Sequence, residues 1–391
     1  MATKKFAGPS PYTMKTTYPP EDYLHAEYLN FSTMNHGAKS DATPVIAALF
    51  GLGKAGSIHM SNIVGNSRII LKYIVDDRVE IFDDIRKYWN LGNDVVLITS
   101  ADAKRVYEDK SVNIVLIASP TWTHGDIVVN SISNNKDVFC EKPITESIEK
   151  TSQCYEAARA RGRKLYTAFN RRFDPAYRAL KERVRKGEVG HVQILKVVAR
   201  DSPIPSIDYL KVSGGFCRDS LVHDIDITCW VLGELPIRVQ ATASALIPEV
   251  KAIGDVDTVA YMFTFPSGAV SLGDNSRYSA YGYDQRLEVF GNKGMIKVEN
   301  ERPCHSTEAY IGQDGVKLTP IFHCFPSRFR LAYKYELEHF LDVVQHDVPM
   351  DVTSWQSYAV HKISAATAEA AKTGQAVDID WSKDNIPAVY S

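Results

Sequence analysis

Apolar residues recur along this chain with two different periods, and the change between them divides it. Between Pro44 and about residue 168 they come as short unbroken runs: Val45-Ile46-Ala47-Ala48-Leu49-Phe50, Ile69 to Val75, Ile114-Val115-Leu116-Ile117-Ala118, Asp137 to Cys140, and Lys164 to Ala168. Runs of that length without polar alternation predict strands buried on both faces, as in parallel sheets covered by helices. Val95-Val96-Leu97-Ile98 reads either as a further strand or as a loop edge. Helical stretches are expected after Gly51 to about Val64 and over about Ser147–Arg161.

From about residue 170 the runs lengthen and alternate: His191–Arg200, Arg238–Ala245, Thr258–Pro266, Ala269–Arg277, Gln285–Gly291 and Gly294–Glu299. Turn signals such as Pro266-Ser267-Gly268 and Gly291-Asn292-Lys293-Gly294 separate them, which predicts a large, mainly antiparallel sheet. Helical periodicity returns over Arg330–Val344 and about Ser354–Lys372. Residues 1–43 have no steady apolar period and are expected to form a flexible extension. The fold class is therefore α/β: an N-terminal Rossmann domain over 44–168 and an α+β domain over 169–391.

Composition narrows the function. A net charge of -2 leaves no basic excess to neutralise nucleic-acid phosphates. No apolar run of about 18 residues is present, so no membrane span is expected. The cysteines at 140, 154, 217, 229, 304 and 324 lack paired or metal-ligand spacing, which points to reduced thiols in the cytoplasm and to no metal site.

The first run leads into Gly51-Leu52-Gly53-Lys54-Ala55-Gly56, then a helix, a strand, and Asp76-Asp77 about 25 residues past the first glycine. Each part has a mechanical job in dinucleotide binding. Gly51 permits the tight turn, Gly53 the approach of a pyrophosphate and Gly56 close helix–strand packing. The amides of Lys54 and Ala55 face the phosphates, and Asp76 accepts from the ribose hydroxyls. The acidic pair favours NAD over NADP, although Arg78 tempers that preference. Ligands collect at the carboxyl ends of such strands, which brings in Ser119, Thr121 and His124 after one run and Glu141-Lys142-Pro143 after the next. His124 reads either as a cofactor neighbour or as a helix cap.

A second constellation lies in Gly214-Gly215-Phe216-Cys217-Arg218-Asp219-Ser220-Leu221-Val222-His223. Asp219 and His223 are four apart, so on one helix they share a face, and a carboxylate beside an imidazole suits proton abstraction. The double glycine is expected to let the backbone pass close to a ligand. Cys217 is expected to pack rather than react.

In this order, the glycine loop, Glu141-Lys142-Pro143 and Asp219-x-x-x-His223 resemble the Gfo/Idh/MocA oxidoreductases, over about residues 44–380. Phe169 to Asp174, Ala199 to Pro203, Ser213 to Trp230, Tyr281 to Gly291 and Tyr333 to Glu336 look most like the family's inositol 2-dehydrogenases. The resemblance implies an NAD cofactor, a cyclic polyol substrate, and a homo-oligomer, dimer or tetramer, formed through the C-terminal sheet. Lys142, Asp219 and His223 would take the catalytic positions: His223 as base, Asp219 orienting it and stabilising its cation, Lys142 polarising the hydroxyl. Arg171 is expected beside the cofactor. Arg172, Asp201, Tyr283 and Tyr333 are expected at the substrate, with one of the two arginines alternatively a surface ion pair and the tyrosines alternatively plain packing. Some bacterial relatives carry a His-Arg-Asn-Pro type of segment where this chain has Ala199-Arg200-Asp201-Ser202, so its substrate contacts are expected to differ. Hydrolysis of a glycosidic bond through a held NAD, and a non-catalytic NAD(H)-binding regulator, stand as the rival readings.

Overall fold

The computed structural model describes residues 43–382, apart from Ile311 and Asp314. The expected extension over 1–43 lies outside these residues except for Thr43.

The unbroken runs form six strands: β1 (Val45–Phe50), β2 (Ile69–Val75), β3 (Val96–Ile98), β4 (Ile114–Ile117), β5 (Asp137–Glu141) and β6 (Leu165–Ala168). They make one fully parallel sheet in the order β3-β2-β1-β4-β5-β6. The ambiguous run at 95–98 is thus a short edge strand. Period-2 geometry sends Ala48 and Phe50 into one core and Ala47 and Leu49 into another. Both faces are buried, which is why neither shows polar alternation.

The alternating runs form β7 (Val192–Arg200), β8 (Arg238–Ser244), β9 (Thr258–Thr264), β10 (Val270–Ser276), β11 (Asp284–Gly291) and β12 (Gly294–Val298). A separate hairpin joins β13 (Glu308–Tyr310) to β14 (Val316–Leu318), and β15 (Val377–Asp378) comes last. Seven of these make a mixed sheet, ordered β12-β11-β7-β10-β9-β8-β15. Only β7 and β10 pair in parallel within it. Along β7, Leu195, Val197 and Ala199 point into the core while Lys196, Val198 and Arg200 point outward. On that outward face Leu272, Phe290 and Met295 are exposed.

One core continues from Leu49 and Phe139 of the parallel sheet, through Leu337 and Phe340 of the Arg330–His346 helix, to Leu195 and Phe263 of the mixed sheet. Arg68, just before β2, fixes the same helix by donating to Glu338 (2.8 Å), Asp342 (2.7 Å) and Gln345 (2.7 Å). This ties the amino end of β2 to that helix. Among the described residues no helix is long and apolar enough to cross a membrane.

Candidate active site

The glycine loop follows β1, and its three glycines answer to three constraints. Gly51 has φ +88°, and a Cβ there would lie 2.6 Å from the Ser119 backbone. A Cβ on Gly56 would fall 2.0 Å from the Gly51 carbonyl oxygen. At Gly53 nothing lies within 4 Å of the Cβ position. Gly53 also caps the Lys54–Ile63 helix without a side-chain acceptor, so the first amides, including those of Lys54 and Ala55, face outward. An open approach onto unsatisfied amides fits a dinucleotide pyrophosphate. Asp76, at the end of β2, accepts from Leu52 N at 2.7 Å and so joins the cradle directly. The Lys54 ammonium stands 5.2 Å from the centre of the Phe325 ring.

Two expected cofactor contacts are turned elsewhere. The Asp77 carboxylate accepts from Ser100 N (2.7 Å) and Ser100 Oγ (3.0 Å), capping the next turn instead of facing the cradle. His124 is buried, with Nδ1 2.9 Å from Pro143 O and Nε2 2.8 Å from Ser119 O. Burial drives its pKa down, so the neutral ring donates to one carbonyl at a time and braces one loop against the other. It is neither helix cap nor open cofactor contact. Ser119 Oγ bonds Thr123 Oγ1 (2.7 Å), and Thr121 opens the Thr121–Ser133 helix.

β5 delivers Glu141 and Lys142. Glu141 Oε1 lies 2.8 Å from Nε2 of the fully buried His59 on the glycine-loop helix, so this carboxylate braces the cradle from beneath. Lys142 Nζ reaches across to the second sheet's domain, donating to Asp219 O at 2.5 Å and standing 3.6 Å from Asp219 Oδ1.

The single helix expected to carry Asp219 and His223 is broken. Phe216–Asp219 forms one turn, Ser220 and Leu221 intervene, and Val222–Leu232 starts afresh. Ser220 and Leu221 keep right-handed helical dihedrals, so the interruption is one of hydrogen bonding, and the partners of the two side chains decide their relation. Asp219 Oδ1 accepts from Tyr209 Oη (2.7 Å) and Oδ2 from Arg277 Nη1 (2.6 Å). Burial opposes ionisation, but Lys142 and Arg277 hold Asp219 below the usual carboxylate range. His223 Nδ1 is buried without a partner. Burial, reinforced by the positive charges of Lys142 and Arg171, pushes its pKa well below the usual imidazole value. Both carboxylate oxygens of Asp219 are thus engaged by Tyr209 and Arg277, and the surroundings of His223 favour its neutral ring. Gly214 and Gly215 have φ +83° and +88° with no tight contact, so the backbone turn itself calls for glycine there. Cys217 is buried and its thiol is pushed up to about 11 by burial, in keeping with packing.

The parallel pair β7–β10 ends in register, Ser276 beside Arg200, and the next residues are Arg277 and Asp201. Burial pushes Asp201 up to about 6, with Arg277 opposing and Asp219 reinforcing. Neither arginine of the 171–172 pair is at the surface. Arg171 ion-pairs with Asp224, whose other oxygen accepts from Asn275 Nδ2 at 2.5 Å. Arg172 is 1% exposed and donates to Asp226, Asp351 O and Gln356, which removes it from the expected substrate contacts. Tyr283 packs on Phe329 (5.9 Å) and Tyr333 on His59 (5.7 Å), both almost fully buried. Arg277, Tyr209 and Asn275 escaped sequence reading. No local motif marks them, and Asn275 and Arg277 reach carboxylates on helical segments 51 and 58 residues earlier in the chain.

Residues 46–169 match the oxidoreductase family with an NAD-binding Rossmann fold, and residues 177–297 match the GFO/IDH/MocA C-terminal domain. A myo-inositol 2-dehydrogenase of Thermotoga maritima is 36% identical over 306 residues, covering 78% of this chain and 90% of that protein. The chain belongs to the Gfo/Idh/MocA oxidoreductases. A scyllo-inositol 2-dehydrogenase (NAD(+)) of Bacillus subtilis is 32% identical over 86% of this chain and 96% of its own length. Among solved structures, a myo-inositol dehydrogenase from Corynebacterium glutamicum superposes with a TM-score of 0.78 at 30% identity, covering 86% of this chain and 99% of that one. This Gfo/Idh/MocA member is accordingly an NAD-binding oxidoreductase.

Proposed function

We propose that the protein is a cyclitol dehydrogenase, oxidising a secondary alcohol of myo-inositol or a close stereoisomer to the ketone. The observation that carries this reading is His223, half-buried, with its Nδ1 unpartnered and Lys142 and Arg171 as the neighbouring cations. NAD supplies the hydride acceptor when bound, held by the glycine loop and Asp76. His223 takes the hydroxyl proton, for which an unprotonated imidazole at neutral pH is required. Lys142 donates to the same oxygen as negative charge develops there. Asp219, clamped by Tyr209 and Arg277, keeps Lys142 in place through its carbonyl and carboxylate instead of serving the imidazole. Asp201 supplies a hydrogen-bonding carboxyl group for a further ring hydroxyl.

Names of relatives acting on both myo- and scyllo-inositol support a cyclitol and leave its stereochemistry to experiment. Absorbance at the NADH band, read with NAD and a panel of cyclitols and sugars, tests the reading. Turnover of a cyclitol with release of NADH supports it, and no cyclitol turnover refutes it. We further infer that the open sheet face bearing Leu272, Phe290 and Met295 pairs with a second copy, giving a dimer or tetramer measurable by light scattering.

A further inference from the structure

We propose that Arg78 holds the place of the adenosine ribose on Asp76 and makes this chain a binder of NADP as well as NAD. An ionised carboxylate offers about four acceptor positions, and on Asp76 four donors occupy them. Oδ1 accepts from Arg78 N (3.0 Å) and Arg78 Nε (2.9 Å), and Oδ2 from Leu52 N (2.7 Å) and Arg78 Nη2 (2.9 Å). The two backbone donors fix the carboxylate in the cradle. The two guanidinium donors, one on each oxygen, hold the positions that a pair of neighbouring ribose hydroxyls would take.

A ribose can therefore reach Asp76 only after the guanidinium leaves. The Arg78 side chain is 49% exposed, so water screens the pair and solvates the guanidinium once a ribose displaces it. It is only two residues from Asp76, so once displaced it stays beside the 2′ position. There a 2′-phosphate would meet the negative charge of Asp76 and that of neighbouring Asp77, whose oxygens are turned onto Ser100, so a cation has to offset both. A freed guanidinium forks onto phosphate oxygens in a way that an ammonium cannot. The carboxylate selects the diol and the guanidinium selects the phosphate, so one site serves both cofactors.

Calorimetric titration of the full chain with NAD and with NADP tests this without turnover. Wild type should bind both, NAD more tightly. R78A should weaken NADP binding by about tenfold or more, the worth of a charge-assisted bidentate contact. It should tighten NAD by up to about threefold, since a surface ion pair no longer has to be broken. R78K should fall between the two for NADP, and an unchanged melting temperature for both variants excludes a folding defect. Equal weakening of NAD and NADP in R78A, or no NADP binding by wild type at millimolar concentration, would overturn the proposal. Binding of neither nucleotide by wild type would instead remove the cradle itself, and the proposal with it.

Discussion

The cofactor cradle and the reaction edge are built on opposite plans. The cradle comes from one contiguous β-α-β segment, residues 45–76, in which backbone geometry does most of the work: a positive φ at Gly51, a Cβ-free contact at Gly56, and free helix amides past Gly53. The reaction edge collects Lys142, Asp201, Tyr209, Asp219, His223 and Arg277 from separate segments, and side-chain charge does the work there. The first plan tolerates exchange of exposed side chains and fails on adding a methyl group. The second tolerates small changes of volume and fails on removing one charge, because the partner is left buried and unpaired.

The largest effect should come from Lys142. K142M should cost about 3–5 kcal/mol of transition-state stabilisation, read as kcat/KM for the cyclitol. A loss below tenfold would take the ammonium out of the chemistry. R277L acts on a different axis. It removes one of the two cations that face buried Asp219, leaving Lys142 and Tyr209, and should lower unfolding free energy by about 1–3 kcal/mol in denaturant titration.

The cradle gives the next test. G56A drives a Cβ into the Gly51 carbonyl and should cost about 1–3 kcal/mol of stability together with NAD affinity. A variant as stable and as tight as wild type would show that the loop relaxes freely.

Asp201 offers the smallest effect and a pH signature. Its folded pKa of about 6 lies above the ordinary 3.8, so the native state keeps a proton that the unfolded chain has released. Stability contributed by this group is thus present at low pH, falls between about 4 and 6, and is flat above. D201N should abolish that fall and be more stable than wild type by roughly 1–3 kcal/mol at about pH 8, with no gain at about pH 3. An equal difference at both values would assign the effect to packing.

The same contrast explains what could be read from sequence. Unbroken apolar runs marked the parallel sheet, alternation marked the mixed one, and local spacing marked the cradle, since each depends on residues near one another in the chain. Spacing gave no hint that the helix is interrupted at Ser220–Leu221 or that the Asp219 carboxylate is engaged by Tyr209 and Arg277. Charge at Asp77 and Arg172 looked like ligand chemistry, yet it caps Ser100 in one case and pairs with Asp226 in the other. The clamp on Asp219 was invisible because Arg277, just past β10, meets it from 58 residues further along the chain.

Proton transfer at the reaction edge should therefore rest on a neutral His223 and not on Asp219. H223A, assayed for cyclitol-dependent NADH formation beside calorimetric NAD binding, separates the two roles in one variant. Its NAD dissociation constant should stay within about twofold of wild type while kcat falls by about 10²–10⁴-fold. Turnover within about tenfold of wild type would contradict a proton-accepting His223.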